Sequence, residues 1–512
     1  MSDLPPEYLD SRTPPDVIVK DKAAPPYRDP TLGVVLGPPA AGIPTVPVDP
    51  AHSLVTMGDS LTHGVSSGAV FHTKLSWPAL VAMATGADDF KVPAYGGPLS
   101  GLPVNLEALA RQIEKKFGGD INIVETLRVP LTLQRLLDQN EDYWERGAGS
   151  AAPPTDVRYH NLGIYGWDLR DALSYTAGRA TAAAQRDPDD QFVGFKPDHD
   201  NDIAARSVLA PFGFDATQVD AAAWHGRNGG IDALVVALGA NNALNAVVHK
   251  NVAWTGEGYD GLGRKGTYTV WTPTHFTAEY GALVARLRTI PARRVVLATV
   301  PHVMIAPIAK GVNPQRPGQK WKDGSRYFPY YADPWINEKD FRPGKHRNIT
   351  HQQARAIDAA IDQYNATIAA AVRHARAEGR DWFLLDLCGL LDGLAYRRYE
   401  TDPAAAEAND WQPHPLPEAI KHLDARFFVS DHRGRRQGGL FSLDGIHPTT
   451  SGYGLVAQVA LDVLSVAGLP SKQINFSALL ARDTLNSNPP ALVAQALKLM
   501  APFATYFASK KK

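Results

Sequence analysis

Ser53-Leu54-Val55-Thr56-Met57, followed by Gly58-Asp59-Ser60-Leu61-Thr62-His63-Gly64, is an apolar run that stops at a small, polar, glycine-flanked turn. A run of that composition is long enough for a buried strand, and the turn would expose a serine hydroxyl at the sheet edge. Comparable runs recur at residues 157–164, 231–238, 294–300 and 382–387. Helical patterns follow or separate them. Phe276, Tyr280, Leu283, Val284 and Leu287 form one apolar stripe at spacings of three or four; Ile357, Ile361, Tyr364, Ile368 and Val372 form another. Leu455, Val459 and Val463, with Val456, Ala460 and Leu464, make the same kind of face further on. Strands alternating with helices predict parallel βαβ units, with helices on both faces of one sheet: a doubly wound α/β domain.

The remaining sequence is expected to decorate that core. Residues 1–50, rich in proline, read as an extended N-terminal arm, 51–470 as the α/β domain, and 471–512 as a C-terminal extension of one or two helices. Residues 90–156, 185–230, 251–274, 310–348 and 395–440 read as insertions, because none shows several periodic elements; the first holds a helix around 106–117. Composition removes several function classes. Lys plus Arg (52) against Asp plus Glu (53) gives a formal charge of -1, which supplies no field to hold a polyanion, so nucleic-acid binding is disfavoured. No stretch reaches the roughly 18 apolar residues of a membrane span; residues 491–507 come closest but carry Gln495, Lys498 and Pro502, so no transmembrane segment is expected. Cys388 is the only cysteine, which rules out an intrachain disulfide and a cysteine-rich zinc site. The N-terminus lacks the basic head and apolar run of a secretion signal, and a cytoplasmic location is the expectation.

In parallel α/β sheets, ligands bind beyond the carboxyl ends of the strands. The second run leads into Asn161-Leu162-Gly163-Ile164-Tyr165-Gly166-Trp167 and the third into Leu238-Gly239-Ala240-Asn241-Asn242. The loop after the fifth reaches Ser442-Leu443-Asp444-Gly445-Ile446-His447-Pro448. With Ser60, these supply a hydroxyl nucleophile, a glycine N–H, a carboxamide donor, and an Asp and a His three residues apart, the parts that acyl transfer needs.

Over about residues 53–464, these four blocks in this order resemble the GDSL, or SGNH, family of serine esterases and lipases. The resemblance implies a flavodoxin-like SGNH hydrolase fold enlarged by insertions, with Ser60 as nucleophile, His447 as general base and Asp444 as its orienter. It also implies an oxyanion hole built from the Ser60 N–H, the Gly166 N–H and the Asn241 side-chain amide. Gly163 is the rival of Gly166, which is preferred because it lies farther past the strand. The family usually has Asp after the motif's Asn, where this chain has Asn242. The implied reaction is hydrolysis of a small-molecule or lipid carboxylic ester through an acyl-enzyme, with no cofactor and no metal. Acyl transfer to an alcohol by the same residues, or a non-catalytic ligand-binding protein, are the alternatives. Taken singly, Ser60, Gly166, Asn241, Asp444 and His447 each have a plainer reading as turn, cap or loop residues; their joint occurrence favours the catalytic set.

Other motifs are set aside. Gly64-Val65-Ser66-Ser67-Gly68 has the letters of a nucleophile elbow, but Ser66 does not leave a strand directly. Residues 256–261 match a dinucleotide fingerprint without a preceding strand. Asp198-His199-Asp200-Asn201-Asp202 begins like a calcium loop, but Ile203 and Leu209 replace its Gly and Glu, leaving a solvated acidic turn as the expectation. The 310–348 insertion concentrates Trp321, Tyr327, Phe328, Tyr330, Tyr331, Trp335 and Phe341. It reads either as a lid or acyl-pocket wall, or as a loop or subunit interface anchored by its aromatics.

Overall fold

A computed structural model describes residues 4–22, 24–119, 128–186, 196–395, 399 and 402–495. Its central sheet has four strands, β1 (His52–Gly58), β2 (Ile231–Ala237), β3 (Ala292–Ala298) and β4 (Trp382–Leu385), side by side in chain order with every pair parallel. Successive side chains of a strand point to opposite faces. Val55, Met57, Leu234, Val236, Val295, Leu297 and Leu384 therefore enter one buried cluster, and Leu54, Ala233, Val235, Val296, Ala298, Phe383 and Leu385 enter another. Strands buried on both faces are apolar without alternation, which is why these runs stand out in the sequence.

Helices cover both faces. Pro273–Leu287 and His351–Ala377 bring the expected stripes to the first cluster, where Phe276 stacks on Tyr364 with ring centroids 4.0 Å apart. The second helix starts at a capping box in which Thr350 and Gln353 satisfy each other's backbone N–H groups. Trp77–Thr85 and Thr450–Val466 cover the other face. At the β4 edge, Leu384 N donates to Pro30 O at 2.8 Å, so the N-terminal residues pair with a strand edge that would otherwise be open. Phe476–Arg482 and Thr484–Ser487 follow the last large helix, with Leu479 in the core beside it. Among the described residues no helix is long and apolar enough to cross a membrane.

Three expectations need correction. Residues 157–164 form no regular strand: only Asn161 bridges Thr56, although Thr56 N donates to His160 O at 2.9 Å, Leu162 N to Thr56 O at 2.8 Å and Ile164 N to Gly58 O at 3.1 Å, so 160–164 lie along the outer edge of β1. The Asn161 side chain accepts from Gly163 N at 3.0 Å and donates to Thr62 O at 2.7 Å, tying this segment to the turn after β1. Residues 90–156 and 185–230 are also more regular than insertions with a single helix. The first holds Leu106–Phe117, as expected, and Val129–Glu145; the second holds Asp200–Leu209 and Gln218–Arg227. The last of these is the crossover into β2, and its apolar core contacts are made by Val219 and Ala221–Ala223, too small to give a visible hydrophobic stripe. Asp200 and Asp202 lie on a helix with their side chains engaged, so residues 198–202 are not a solvated turn.

At the amino end of β1, His52 meets His160 and His225. His52 Nδ1 lies 3.0 Å from His160 Nε2, and His225 Nε2 lies 2.9 Å from Tyr159 O. Burial lowers all three, His160 to about 4 and His225 to about 3. The fold thus favours neutral imidazoles, while the unfolded chain takes up protons below its ordinary value of about 6.5. Stability is present above that value and is lost as pH falls toward the folded values, with a slope approaching about 1.4 kcal/mol per pH unit for each of His160 and His225. Urea unfolding between pH 6.5 and 4.5 should therefore show a shallower loss of stability in His225→Gln than in the wild type. Equal slopes would contradict this account of the cluster.

Candidate active site

β1 ends at Gly58, and the chain turns at once because a side chain there would collide with Thr62 and Ala237 O. Asp59 caps the single-turn helix Ser60–His63, accepting from Leu61 N at 3.1 Å, and burial pushes its carboxyl up to about 6. Ser60 is the first helical residue. A helix start leaves N–H groups without intrahelical acceptors, and no described group accepts from Ser60 N.

A second loop is clasped against this turn by its neighbours. Ser67 N donates to Ser442 Oγ at 2.7 Å and Gly68 N to Asp444 Oδ2 at 2.8 Å. Ile446 N and His447 N donate to Asp444 Oδ1, each at 2.8 Å, and His447 Nδ1 lies 2.8 Å from Asp444 Oδ2. Burial alone would raise the Asp444 carboxyl, but the His447 imidazole and these hydrogen bonds outweigh it and hold the group below the usual carboxylate range. A carboxylate only accepts, so Nδ1 carries the proton and Nε2 of the neutral ring is left as acceptor. That Nε2 atom is buried and has no hydrogen-bond partner.

The remaining candidates separate by what their polar groups already do. Gly163 N is engaged by Asn161, and a Cβ on Gly163 would come within 2.8 Å of the His63 Cα, so this glycine is required by packing. Gly166 is exposed at φ +73°, and its N–H donates to no described group. Asn241 opens the helix Asn241–His249 after β2 and donates through Nδ2 to Trp167 O at 2.9 Å, which leaves one amide hydrogen for another acceptor. Asn242 is fully buried and accepts from Leu169 N at 3.4 Å, so it holds the backbone beyond Gly166.

Ser60 and His447 line one cavity of about 100 Å³, whose walls are apolar: Leu244, Val303, Leu390, Phe441 and Val456 among them. No hydrogen bond joins the two side chains across it. Ser60, Asp444 and His447 are thus brought together, while Gly166 and Asn241 are joined to each other through Trp167 and lie outside the cavity walls.

Several supporting residues were not anticipated. Asp200 accepts from Tyr165 Oη at 2.9 Å, Asn201 accepts from Trp167 Nε1 at 3.2 Å, and Asn201 Nδ2 donates to Tyr165 O, bracing both sides of Gly166. The cavity walls come from residues that follow each of the four strands and from residues 440–456, and none from 310–348. Tyr327 donates instead to Asp358 at 3.0 Å, and Trp321 stacks on His351, so those aromatics anchor their own insertion. Ser66 lies in the short strand Val65–Ser66, away from the cavity walls.

A scan against protein-family models, a search of curated proteins and a search of solved structures each find no match. The chemistry of the site has to be read from its own geometry.

The two glycines make opposite demands. Gly163→Ala drives a Cβ into the backbone of Thr62 and His63, whereas the nearest atom to a Cβ on Gly166 is Asn201 Nδ2 at 3.4 Å, and φ +73° costs about 1–2 kcal/mol. Thermal unfolding should show Gly163→Ala as the more damaging substitution. A milder effect at 163 than at 166 would contradict the packing role.

Proposed function

We propose that the chain is a serine hydrolase of the GDSL, or SGNH, kind, cleaving carboxylic esters through an acyl-enzyme. The observation that carries this reading is the buried, unpartnered His447 Nε2, held by Asp444 and sharing one apolar cavity with Ser60. The topology supports it. With the Asn161 bridge on the outer edge of β1, the spatial order is second run, β1, β2, β3, β4, the flavodoxin-like order, and Ser60 sits where that order reverses.

In the reaction, Ser60 Oγ attacks the ester carbonyl carbon as His447 Nε2 takes the hydroxyl proton. The carbonyl electrons move to oxygen, where Ser60 N–H, Gly166 N–H and the second Asn241 amide hydrogen serve as donors. Collapse breaks the bond to the alkoxide, which leaves with the proton from His447. Water, deprotonated by the same nitrogen, then attacks the acyl carbon; collapse breaks the bond to Ser60 Oγ, which takes the proton back from His447, and the acid is freed. Asp444 keeps the ring in the tautomer that makes this possible. A cavity of about 100 Å³ with apolar walls suits a short acyl chain, since drug-sized ligands need several hundred.

On nitrophenyl esters, Ser60→Ala should lower kcat by several orders of magnitude, approaching the roughly millionfold loss seen when a triad nucleophile is removed. Ser66→Ala should leave turnover unchanged. Asn241→Ala should lower kcat by about a hundred- to a thousandfold with little change in KM. Turnover should decline as the acyl chain lengthens beyond a few carbons. Full activity in Ser60→Ala would end this reading.

A further inference from the structure

The carboxyl ends of β3 and β4 carry a second constellation, separate from Ser60 and Asp444. His302 follows β3, and Cys388 and Asp392 lie four residues apart on the helix Leu387–Gly393 that follows β4. Thr299 Oγ1 accepts from Cys388 N at 2.9 Å and donates to Asp386 Oδ1 at 2.9 Å, which fixes the start of that helix. The His302 ring reaches into this corner with Nδ1 3.5 Å from Cys388 Sγ and 2.9 Å from Asp392 Oδ2. Its other nitrogen, Nε2, lies 3.1 Å from Asp362 Oδ1, and Asp362 in turn accepts from Ala24 N at 3.2 Å.

We propose that His302 Nδ1, Cys388 Sγ and Asp392 form a binding site for one divalent transition-metal ion of the zinc type. Nitrogen, thiolate and carboxylate ligands are the set that zinc takes. Tetrahedral coordination at ordinary zinc bond lengths places nitrogen about 3.6 Å from sulfur and about 3.4 Å from oxygen. The sulfur is already in place at 3.5 Å, and the Asp392 oxygen needs to withdraw by about half an ångström. A carboxylate on the far nitrogen of a ligating imidazole is the supporting arrangement of metal-binding histidines, and Asp362 supplies it.

Without metal, both ring nitrogens face carboxylates, so His302 holds two ring protons and Cys388 its thiol proton. A divalent ion displaces the Nδ1 proton and the thiol proton, so the net charge of the buried cluster is unchanged. His302 also lines the cavity of Ser60, and the ion would bolt the segment after β3 to the helix after β4, two elements of the cavity wall. The cluster of His52, His160 and His225 offers no equivalent site. Lys91 N donates to His160 Nδ1 at 3.0 Å, which leaves the proton on Nε2 where a ligand lone pair would be needed.

The site does not depend on the proposed esterase activity, and the test reads metal directly. The full chain, stripped of metal, is titrated with Co²⁺ and followed in the near-ultraviolet and visible. Because Cys388 is the only cysteine, a thiolate-to-cobalt charge-transfer band can arise nowhere else. One equivalent of Co²⁺ should produce that band together with tetrahedral ligand-field bands, release two protons, and be displaced by Zn²⁺. Cys388→Ser should abolish the charge-transfer band, and Asp362→Asn should weaken binding by about ten- to a hundredfold. No thiolate band in the wild type overturns the proposal, whether cobalt fails to bind or binds elsewhere, and that result needs no variant to fold.

Discussion

A buried carboxylate organises the site. An ionised Asp in the interior is costly unless each oxygen is paired, and Asp444 meets this by collecting Gly68 N, Ile446 N, His447 N and His447 Nδ1. The Gly68 bond spans 376 residues of sequence, so the condition that keeps the charge tolerable also holds the 442–448 loop against the hairpin turn Ser67–Gly68 that follows the Ser60 helix. One group thereby sets the loop's shape, the tautomer of His447 and the placement of its free nitrogen beside Ser60.

The parallel sheet explains why these polar and nucleophilic side chains gather at one edge. All four strands are parallel, so their carboxyl ends emerge together: Ser60 after β1, Asn241 after β2, His302 after β3 and Cys388 after β4. The apolar cavity lies among these exits. At the opposite edge, the neutral histidine cluster joins β1 to its flanking segment and crossover helix, a structural task that leaves its nitrogens committed to one another and to backbone groups.

What could be read in the sequence follows from burial. β1 to β4 were legible because strands covered on both faces are apolar throughout, and the large helices because Phe276, Tyr280, Ile357 and Ile361 make wide stripes. Residues 157–164 read as a strand, and 160–164 lie along β1 with backbone hydrogen bonds to it but form only one bridge, at Asn161. The crossover helix Gln218–Arg227 escaped notice because alanines pack it. Ser60, Asp444 and His447 were visible as local motifs, and the structure places them around one loop and one cavity. The cavity walls and the group at His302 and Cys388 had no such signature, since they are assembled from segments 86 residues apart.

In the proposed mechanism, His447 and its environment make Ser60 a nucleophile. Treating the intact chain with a fluorophosphonate and mapping the adduct by peptide mass spectrometry tests it without assuming a substrate. A single phosphonyl adduct on Ser60, formed much more slowly in His447→Ala, is the predicted result; an adduct on Ser66, or equal labelling with and without His447, would contradict it.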